Sequence, residues 1–382
     1  MKYHKAKKKY CANHKQNVQI GITALLVVAA LSIFSQLGMT ESITGAVILK
    51  NSCTGTPDVY VLVGSNDNFV WAFDAALGCA AWKFDAGGDL KATVTSENGN
   101  VYVGTTESEL YAISLADGSE VWQTDVDGKI FGSVAVDSSY VYAADNTGVF
   151  GAYDVSSGTQ TWTYAKNNMK SDVIEKEGIA YVVNEYLKVG SLLAIDTSTQ
   201  APKWVFTAKS QILGNPLVTD DAVYVPTTEN TLYKLNKDYG VAVWTFKTGK
   251  SIRTTPIIDT EGILYFGSND GYFYAVNSKD GKLVWKYPVN AVMTGAGAVD
   301  DSNVYFGAQN NNVYALEKKT GTLVWEFKTS GKIHGSIAIY KDMLYVTSAD
   351  YSVYAIAAET GQQIWSYKTK GVLYGGALVV ES

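Results

Sequence analysis

The segment Gly267-Ser-Asn-Asp-Gly-Tyr-Phe-Tyr-Ala-Val-Asn-Ser-Lys-Asp-Gly-Lys-Leu-Val-Trp285 has the pattern of a strand, a turn and a second strand. The aromatic and β-branched residues up to Val276 favour extended structure. The turn that follows ends in Gly281, which can adopt a positive φ at no steric cost. Leu283-Val-Trp285 then resumes as a strand.

The tryptophan at the end of this segment recurs at intervals of 40 to 42 residues: Trp82, Trp122, Trp162, Trp204, Trp244, Trp285, Trp325 and Trp365. Ten residues before each of them stands an alanine, except at Lys234. Four residues before each stands a glycine, except at Gln200. A fixed period near 40 residues indicates an array of one repeated supersecondary unit. We therefore assign the eight tryptophans a structural role, in which each packs between neighbouring sheets.

Each repeat has room for four short strands. An aromatic strand such as Val101-Tyr-Val103 lies upstream of the strand–turn–strand unit, and an apolar segment such as Gly132-Ser-Val-Ala-Val136 follows the tryptophan. Four short strands per 40 residues are typical of a propeller blade. The surplus segment Leu373–Val380 is expected to complete blade one, which removes an open sheet edge. The sequence thus predicts an all-β, eight-bladed β-propeller of four-stranded antiparallel blades over residues 58–382.

The N-terminal part has the composition of a targeting segment. Residues 1–17 contain six lysines and no acidic residue, and residues 18–37 form an uncharged, mostly apolar run. Twenty such residues are enough to cross a bilayer, and the lysines favour the cytoplasmic side. We predict a basic cytoplasmic segment, a transmembrane signal anchor and a linker over residues 38–57. A cleaved signal peptide and a buried core helix are the alternatives.

The net charge argues against one class of partner. The whole chain has 31 basic and 37 acidic residues, so 25 basic and 37 acidic residues remain beyond residue 17. Nucleic-acid binding needs a basic face, so an acidic propeller is a poor partner for nucleic acid. On this topology the propeller belongs outside the cell membrane, where the predicted partner is an envelope or surface protein.

Two of the three cysteines belong to the predicted extracytoplasmic part. Cys53 precedes the first strand of the repeats, and Cys79 lies in a turn at the same end of blade one. Disulfides persist outside the cytoplasm, so a Cys53–Cys79 bridge is one interpretation. Two small buried thiols are the other.

The strand after each tryptophan is expected to be innermost and to start at the mouth of the central channel. An apolar residue marks its start at Leu90, Ile130, Met169, Ile212, Ile252, Val292, Ile333 and Val372. The next residues form what we call the predicted collar: Lys91, Phe131, Lys170, Leu213, Arg253, Met293, His334 and Leu373. Alternating basic and apolar side chains at a concave site favour an anionic ligand or an acidic peptide. The alternative is an ordinary solvated surface.

Catalytic and metal-binding patterns are sparse. His334 is the one histidine within the repeats, which argues against a multi-histidine metal site, so no metal ligands are predicted. Loop motifs such as Asn269-Asp-Gly271 have the residues of turns rather than of a calcium loop. No catalytic residues are assigned.

The frame Ala-x-Asp-x-x-x-Gly-x-x-x-Trp resembles the tryptophan-docking motif of the pyrroloquinoline-quinone (PQQ) type propeller repeats. Ala72-Phe-Asp74 with Gly78 and Trp82 matches it fully. The resemblance extends from about Val59 to the C-terminus and implies the eight-bladed fold. The family includes quinoprotein dehydrogenases and also non-catalytic scaffolds of the BamB type.

The resemblance implies two functions. A BamB-like, membrane-anchored interaction scaffold needs no cofactor, whereas a quinoprotein oxidoreductase would hold PQQ with calcium in the channel mouth. The enzymes of the family carry adjacent cysteines and long insertions, but this chain has no Cys-Cys pair and its longest extra loop is expected near Asn184–Ser191. These departures favour the scaffold. A ligand-binding module that uses the predicted collar is a third hypothesis.

Overall fold

The computed structural model describes residues 53–165, 169, 172–186 and 188–382. Within these residues there are 32 strands in eight four-stranded antiparallel sheets, and no helix. The three N-terminal segments assigned from sequence (1–17, 18–37 and most of 38–57) lie outside this part. No helix within the described ranges has the length and apolar character needed to cross a bilayer.

The strands follow one another in the order that the repeats predict. Blades one to four contain β1 (Val59–Gly64), β2 (Phe69–Asp74), β3 (Ala80–Asp85); β4 (Thr95–Glu97), β5 (Asn100–Gly104), β6 (Glu109–Ser114), β7 (Glu120–Asp125); β8 (Ala135–Val136), β9 (Tyr140–Ala144), β10 (Val149–Asp154), β11 (Gln160–Ala165); β12 (Ile174–Lys176), β13 (Ile179–Tyr186), β14 (Val189–Asp196) and β15 (Ala201–Thr207).

Blades five to eight repeat the pattern. They contain β16 (Leu217–Val218), β17 (Ala222–Pro226), β18 (Thr231–Asn236), β19 (Ala242–Lys247); β20 (Ile257–Ile258), β21 (Ile263–Gly267), β22 (Tyr272–Asn277), β23 (Leu283–Pro288); β24 (Ala298–Val299), β25 (Asn303–Gly307), β26 (Asn312–Glu317), β27 (Leu323–Lys328); β28 (Ala338–Tyr340), β29 (Met343–Ser348), β30 (Ser352–Ala357) and β31 (Gln363–Lys368). The last strand, β32 (Leu378–Glu381), is the fourth strand of blade one.

The sheets are arranged radially. In blade two the order is β4-β5-β6-β7, and the first strands of neighbouring blades, such as β4 and β8, lie beside each other around the channel. The tryptophan-bearing strands are therefore outermost. The predicted closure of blade one is confirmed, because β32 pairs antiparallel with β1, with Tyr60 opposite Val380. The sequence analysis thus places the fold and the ring junction correctly.

The inner strands are shorter than the sequence suggests. The predicted strand Gly132–Val136 is reduced to β8 at Ala135–Val136, and within Leu373–Val380 the strand β32 begins only at Leu378. The glycines that precede these strands contact a neighbouring blade instead. A Cβ on Gly335 would lie 2.4 Å from the carbonyl oxygen of Gly375. The close approach of neighbouring blades at these glycines therefore limits the length of the inner strands.

The tryptophans join each blade to the next. In seven of these contacts the indole Nε1 donates to a backbone carbonyl of the following blade at 2.7 to 3.0 Å: Trp82 to Leu115, Trp122 to Val155, Trp204 to Lys237, Trp244 to Ser278, Trp285 to Lys318, Trp325 to Ala358 and Trp365 to Ala75. The last of these contacts crosses the ring junction.

The glycine of the repeat frame makes room for the indole of the preceding blade. Gly118 has φ of 73°, and a Cβ there would lie 2.7 Å from the Trp82 ring. Gln200 is the exception, with φ of 58°, in the blade that follows Trp162. The Trp162 side chain is half-buried, as are Trp244 and Trp325, which do face a glycine. Alanine at the first motif position lies directly opposite the tryptophan, as Ala72 does opposite Trp82.

Asn184–Ser191 is also different from the expectation. In place of a long loop, β13 and β14, each of eight residues, form an extended hairpin whose ladder runs from Ile179–Asp196 to Tyr186–Val189.

Candidate functional site

The channel mouth is built by the segments that connect one blade to the next. In each segment an apolar residue eight positions after the tryptophan, or seven in the case of Met169, is buried between blades: Leu90, Ile130, Met169, Ile212, Ile252, Met293, Ile333 and Leu373. We call these the wedge residues. Ile130 packs against the backbone of Gly104, and Met293 against Gly267, at the end of the neighbouring strand. The position of each wedge residue therefore determines which residue comes next at the channel mouth.

The structure places two members of the predicted collar between blades. Met293 is 1% exposed and Leu373 is 0% exposed, so both are wedge residues and not side chains at the channel mouth. Val292 and Val372 precede them and are partly exposed. Both pairs place two apolar residues side by side, and the sequence analysis chose the first residue of each pair as the start. A spacing of eight from the tryptophan, which holds in all the other segments except that of Met169 and gives Met293 and Leu373 in these two, would have given the observed register.

The observed collar follows the wedge residues: Lys91, Phe131, Leu213, Arg253, Thr294, His334 and Tyr374. Lys170 falls outside the described residues. Thr294 and Tyr374 replace Met293 and Leu373, which makes this part of the collar more polar. The Thr294 hydroxyl donates to the carbonyl of His334 at 3.2 Å, and the rings of His334 and Tyr374 lie 5.5 Å apart.

The positive charges of the collar are only partly available to a ligand. Lys91 Nζ lies 2.8 Å from an Asp89 carboxylate oxygen, and it also lies 5.4 Å from the centre of the Tyr374 ring. Arg253 is exposed and has no ion pair with the residues that the structure describes. Asp89 therefore offsets part of the charge of Lys91, and Arg253 is the stronger candidate for contact with an anion.

His334 gives this region a pH-dependent charge. Burial, and to a smaller extent repulsion from Lys332, lowers the pKa of His334 below its usual value of 6.5. Gln309 Nε2 lies 3.4 Å from its Nδ1 atom, and Tyr374 packs on the ring. The neutral form is therefore the one that suits the folded collar.

We expect the stability of the propeller to fall as the pH decreases through 6.5, because the unfolded chain then binds a proton that folded His334 resists. The urea midpoint should decrease between about pH 7.5 and about pH 5.5. His334→Gln should show a smaller decrease over the same interval. An identical decrease in both proteins would contradict this role of His334.

One pocket in the channel mouth was not anticipated. It has a volume of about 350 Å³ and is lined by Phe131, Leu213, Asp172, Glu185 and Asn215, among others. Asp172 accepts hydrogen bonds from the Ser133 amide at 2.6 Å and from Asn215 Nδ2. Burial raises the pKa of Asp172, although these hydrogen bonds favour its ionised form. The pocket is thus acidic and apolar rather than basic.

A sequence signal for this pocket did exist. Asp172 stands three residues after the wedge residue Met169, where the other seven blades have Thr93, Ser133, Asn215, Thr255, Ala296, Ser336 and Gly376. A single carboxylate in that series marks the blade that differs. Glu185 belongs to the extended hairpin β13–β14, and its approach to the channel could not be read from spacing.

The opposite face of the ring carries the cysteines. Cys53 and Cys79 form a disulfide with a Cα–Cα distance of 5.5 Å, and the Cys53 amide donates to the carbonyl of Ala80. Within the described part of the chain, the acidic, histidine and cysteine side chains close enough for a metal are these two and Asp74. Because the two sulfurs are bonded to each other, this group offers no thiolate ligand.

An apolar surface lies on the outer strands of three neighbouring blades. We call it the apolar rim; its exposed residues are Tyr239, Val241, Val243, Leu283, Val284, Leu323 and Val324. Tyr239 is 74% exposed. At the position of Val243, blades three and four have Thr161 and Lys203 instead. Exposed apolar residues grouped in this way mark interaction surfaces, whereas the separate Val121 and Val205 need no such explanation.

Comparisons with solved structures agree with this fold. The chain is similar to BamB from Moraxella catarrhalis, with 17% identity, a TM-score of 0.64, and coverage of 86% of this chain and 98% of that one. It is also similar to the quinohemoprotein alcohol dehydrogenase from Comamonas testosteroni, with 13% identity, a TM-score of 0.66, and coverage of 76% and 68%.

A computationally designed protein, Ika8, is similar at 14% identity and a TM-score of 0.67, with coverage of 75% of this chain and 91% of that one. At such identities these likenesses show the fold alone. No curated protein matches the chain.

The family comparison is more specific. The profile described as "Outer membrane protein assembly factor BamB" matches residues 66–187, 173–297 and 290–378, which is most of the propeller. The repeat frame, the tryptophan docking and this match agree, and the chain belongs to the BamB-like family of PQQ-type β-propellers.

Proposed function

We propose that this protein is a non-catalytic scaffold for protein–protein interaction, held at the extracytoplasmic side of the cell membrane by residues 18–37. The match of the BamB profile to residues 66–378 carries the proposal. The membrane attachment rests on the basic segment 1–17 and the apolar run that follows it. The partner in this proposal is a protein of the cell envelope.

The apolar rim supports the scaffold proposal. It lies on β19, β23 and β27 and on the turns just before them, which belong to neighbouring blades and form the outer edges of their sheets. Burial of such side chains against a partner is favourable by about 25 cal/mol per Å² of apolar surface. The rim thus offers a partner a contact surface that the blades with Thr161 and Lys203 lack.

We expect a photoreactive amino acid at Val243 or Val284, introduced into the full chain in intact cells, to give one discrete crosslinked envelope protein that mass spectrometry can identify. Thr161, the matched position in blade three, is the control and should give none. Adding Val324→Asp should greatly weaken both rim crosslinks, because the partner would then have to bury a charge. Absence of a discrete product at both rim positions, or an equal product at Thr161, would contradict the proposal.

A quinoprotein oxidoreductase is the alternative, because quinohemoprotein alcohol dehydrogenases share the propeller fold. The residues at the channel mouth fit PQQ poorly, however. PQQ is a tricarboxylate, whereas the pocket presents Asp172 and Glu185, and Lys91 is already paired with Asp89. Calorimetric titration of the full chain with PQQ and calcium separates the two functions. Micromolar binding that Arg253→Ala abolishes would favour the enzyme, and no binding at millimolar PQQ would favour the scaffold.

A further inference from the structure

A large cavity opens between blades one and eight, on the face of the ring that carries the disulfide. Its volume is about 830 Å³, within the range of ligand and peptide sites. Blade eight contributes Tyr340, Met343, Tyr345 and Ile364, and blade one contributes Val59. The lining is largely apolar and lies at the junction where β32 closes the ring.

The N-terminal part of the chain reaches the propeller at the edge of this cavity. Asp74 lines the cavity, and one of its carboxylate oxygens lies within 4.8 Å of the sulfurs of both Cys53 and Cys79. The disulfide therefore fixes Cys53 beside the cavity. The chain that precedes Cys53 is therefore tethered beside the cavity.

The sequence before Cys53 contains an apolar segment, which matches the largely apolar lining of the cavity. Ala46-Val-Ile-Leu49 is uniformly apolar and is followed by Lys50. Leu49 stands four residues before Cys53, so an extended chain can carry it about 14 Å, which is enough to enter a cavity that starts beside Cys53.

The charges around the cavity are also complementary to this segment. Asp58, Asp74 and Asp342 line it together with one cation, Lys341. Lys50 is the one charged residue between Glu41 and Asp58. An apolar segment placed in the cavity would bring Lys50 near this acidic group, where opposite charges attract.

We propose that Ala46–Leu49 fills the cavity between blades one and eight, with Lys50 at its acidic edge. The segment assigned from sequence as linker would then be a fixed part of the propeller, which adds apolar contacts on both sides of the ring junction. This inference is independent of the scaffold function, because its partner is the chain itself.

The test measures the accessibility of the cavity in the full chain, purified in detergent micelles, with Cys11→Ser as background. Ala357→Cys places a reporter thiol in the cavity lining. With the native segment, we expect N-ethylmaleimide to modify this thiol at least about tenfold more slowly than in the variant Val47→Asp/Ile48→Asp, since burying two charges would keep the segment out. Thr44→Asp adds a charge outside the apolar stretch. With this variant the reporter thiol should react as slowly as with the native segment.

Met343→Cys is a second reporter, in case one substitution disturbs folding. Equal reactivity with native and Val47→Asp/Ile48→Asp segments, whether fast or slow, would overturn the proposal at either reporter. Protection that appears only in native membranes and persists in the double variant would also overturn it, because lipid or another protein would then be the occupant.

Discussion

Trp82→Ala is expected to lower the free energy of unfolding by about 3–5 kcal/mol, the usual cost of removing a large buried aromatic side chain. Trp82 is 4% exposed, and its Nε1 donates to the Leu115 carbonyl at 2.8 Å. Its ring also packs on Gly118, so the alanine variant loses a contact between blades one and two as well as apolar burial. Urea denaturation followed by circular dichroism measures the loss.

Trp162→Ala is the matched control for this variant. Trp162 has the same place in the repeat, but it is half-buried, and Gln200 replaces the glycine of the following blade. Its removal uncovers less apolar surface, so we expect a loss smaller by at least about 1 kcal/mol. Equal losses for the two variants would mean that docking on glycine contributes little to the stability of the ring.

Reduction of the Cys53–Cys79 disulfide is expected to destabilise the propeller by about 3 kcal/mol. The bridge joins residues 26 apart in sequence, and a closed loop of this length restricts the unfolded chain by about that amount. It also fixes the chain beside the outer strand of blade one. A lower urea midpoint in the presence of a reducing agent measures the effect.

The double variant Cys53→Ser/Cys79→Ser is the control for the disulfide. Its midpoint should equal that of the reduced native chain and should not respond to the reducing agent. If the reducing agent lowered both midpoints equally, the effect would not come from this bridge.

The repeat frame could be predicted because its residues act locally. Gly118 follows from the positive φ and the space that its turn requires, and Ala72 from the strand position opposite Trp82. A 40-residue period then fixes the number of blades, and the surplus C-terminal strand fixes the closure. The same reasoning explains why Gln200 and Lys234 could be recognised as departures from the sequence alone.

The register of the collar could not be predicted from polarity alone. Val292 and Met293 are adjacent and both apolar, so their polarity does not tell which side chain turns between the blades. The structure buries Met293 against Gly267 and leaves Val292 partly exposed. A shift of one residue changes which side chain reaches the channel, here Thr294 in place of Met293.

By itself the sequence determined the propeller, its eight blades, the ring closure and the role of the tryptophans, because each depends on contacts that recur in every repeat. Only the tertiary structure decided that Asp172 and Glu185 share a pocket, that the apolar rim spans three blades and that a cavity lies beside Cys53. These features bring together residues from different blades. The contacts of the pocket and of the cavity occur once in the ring, so no periodicity indicates them. The rim residues Val243, Val284 and Val324 share one repeat position, and the closed ring sets their blades side by side.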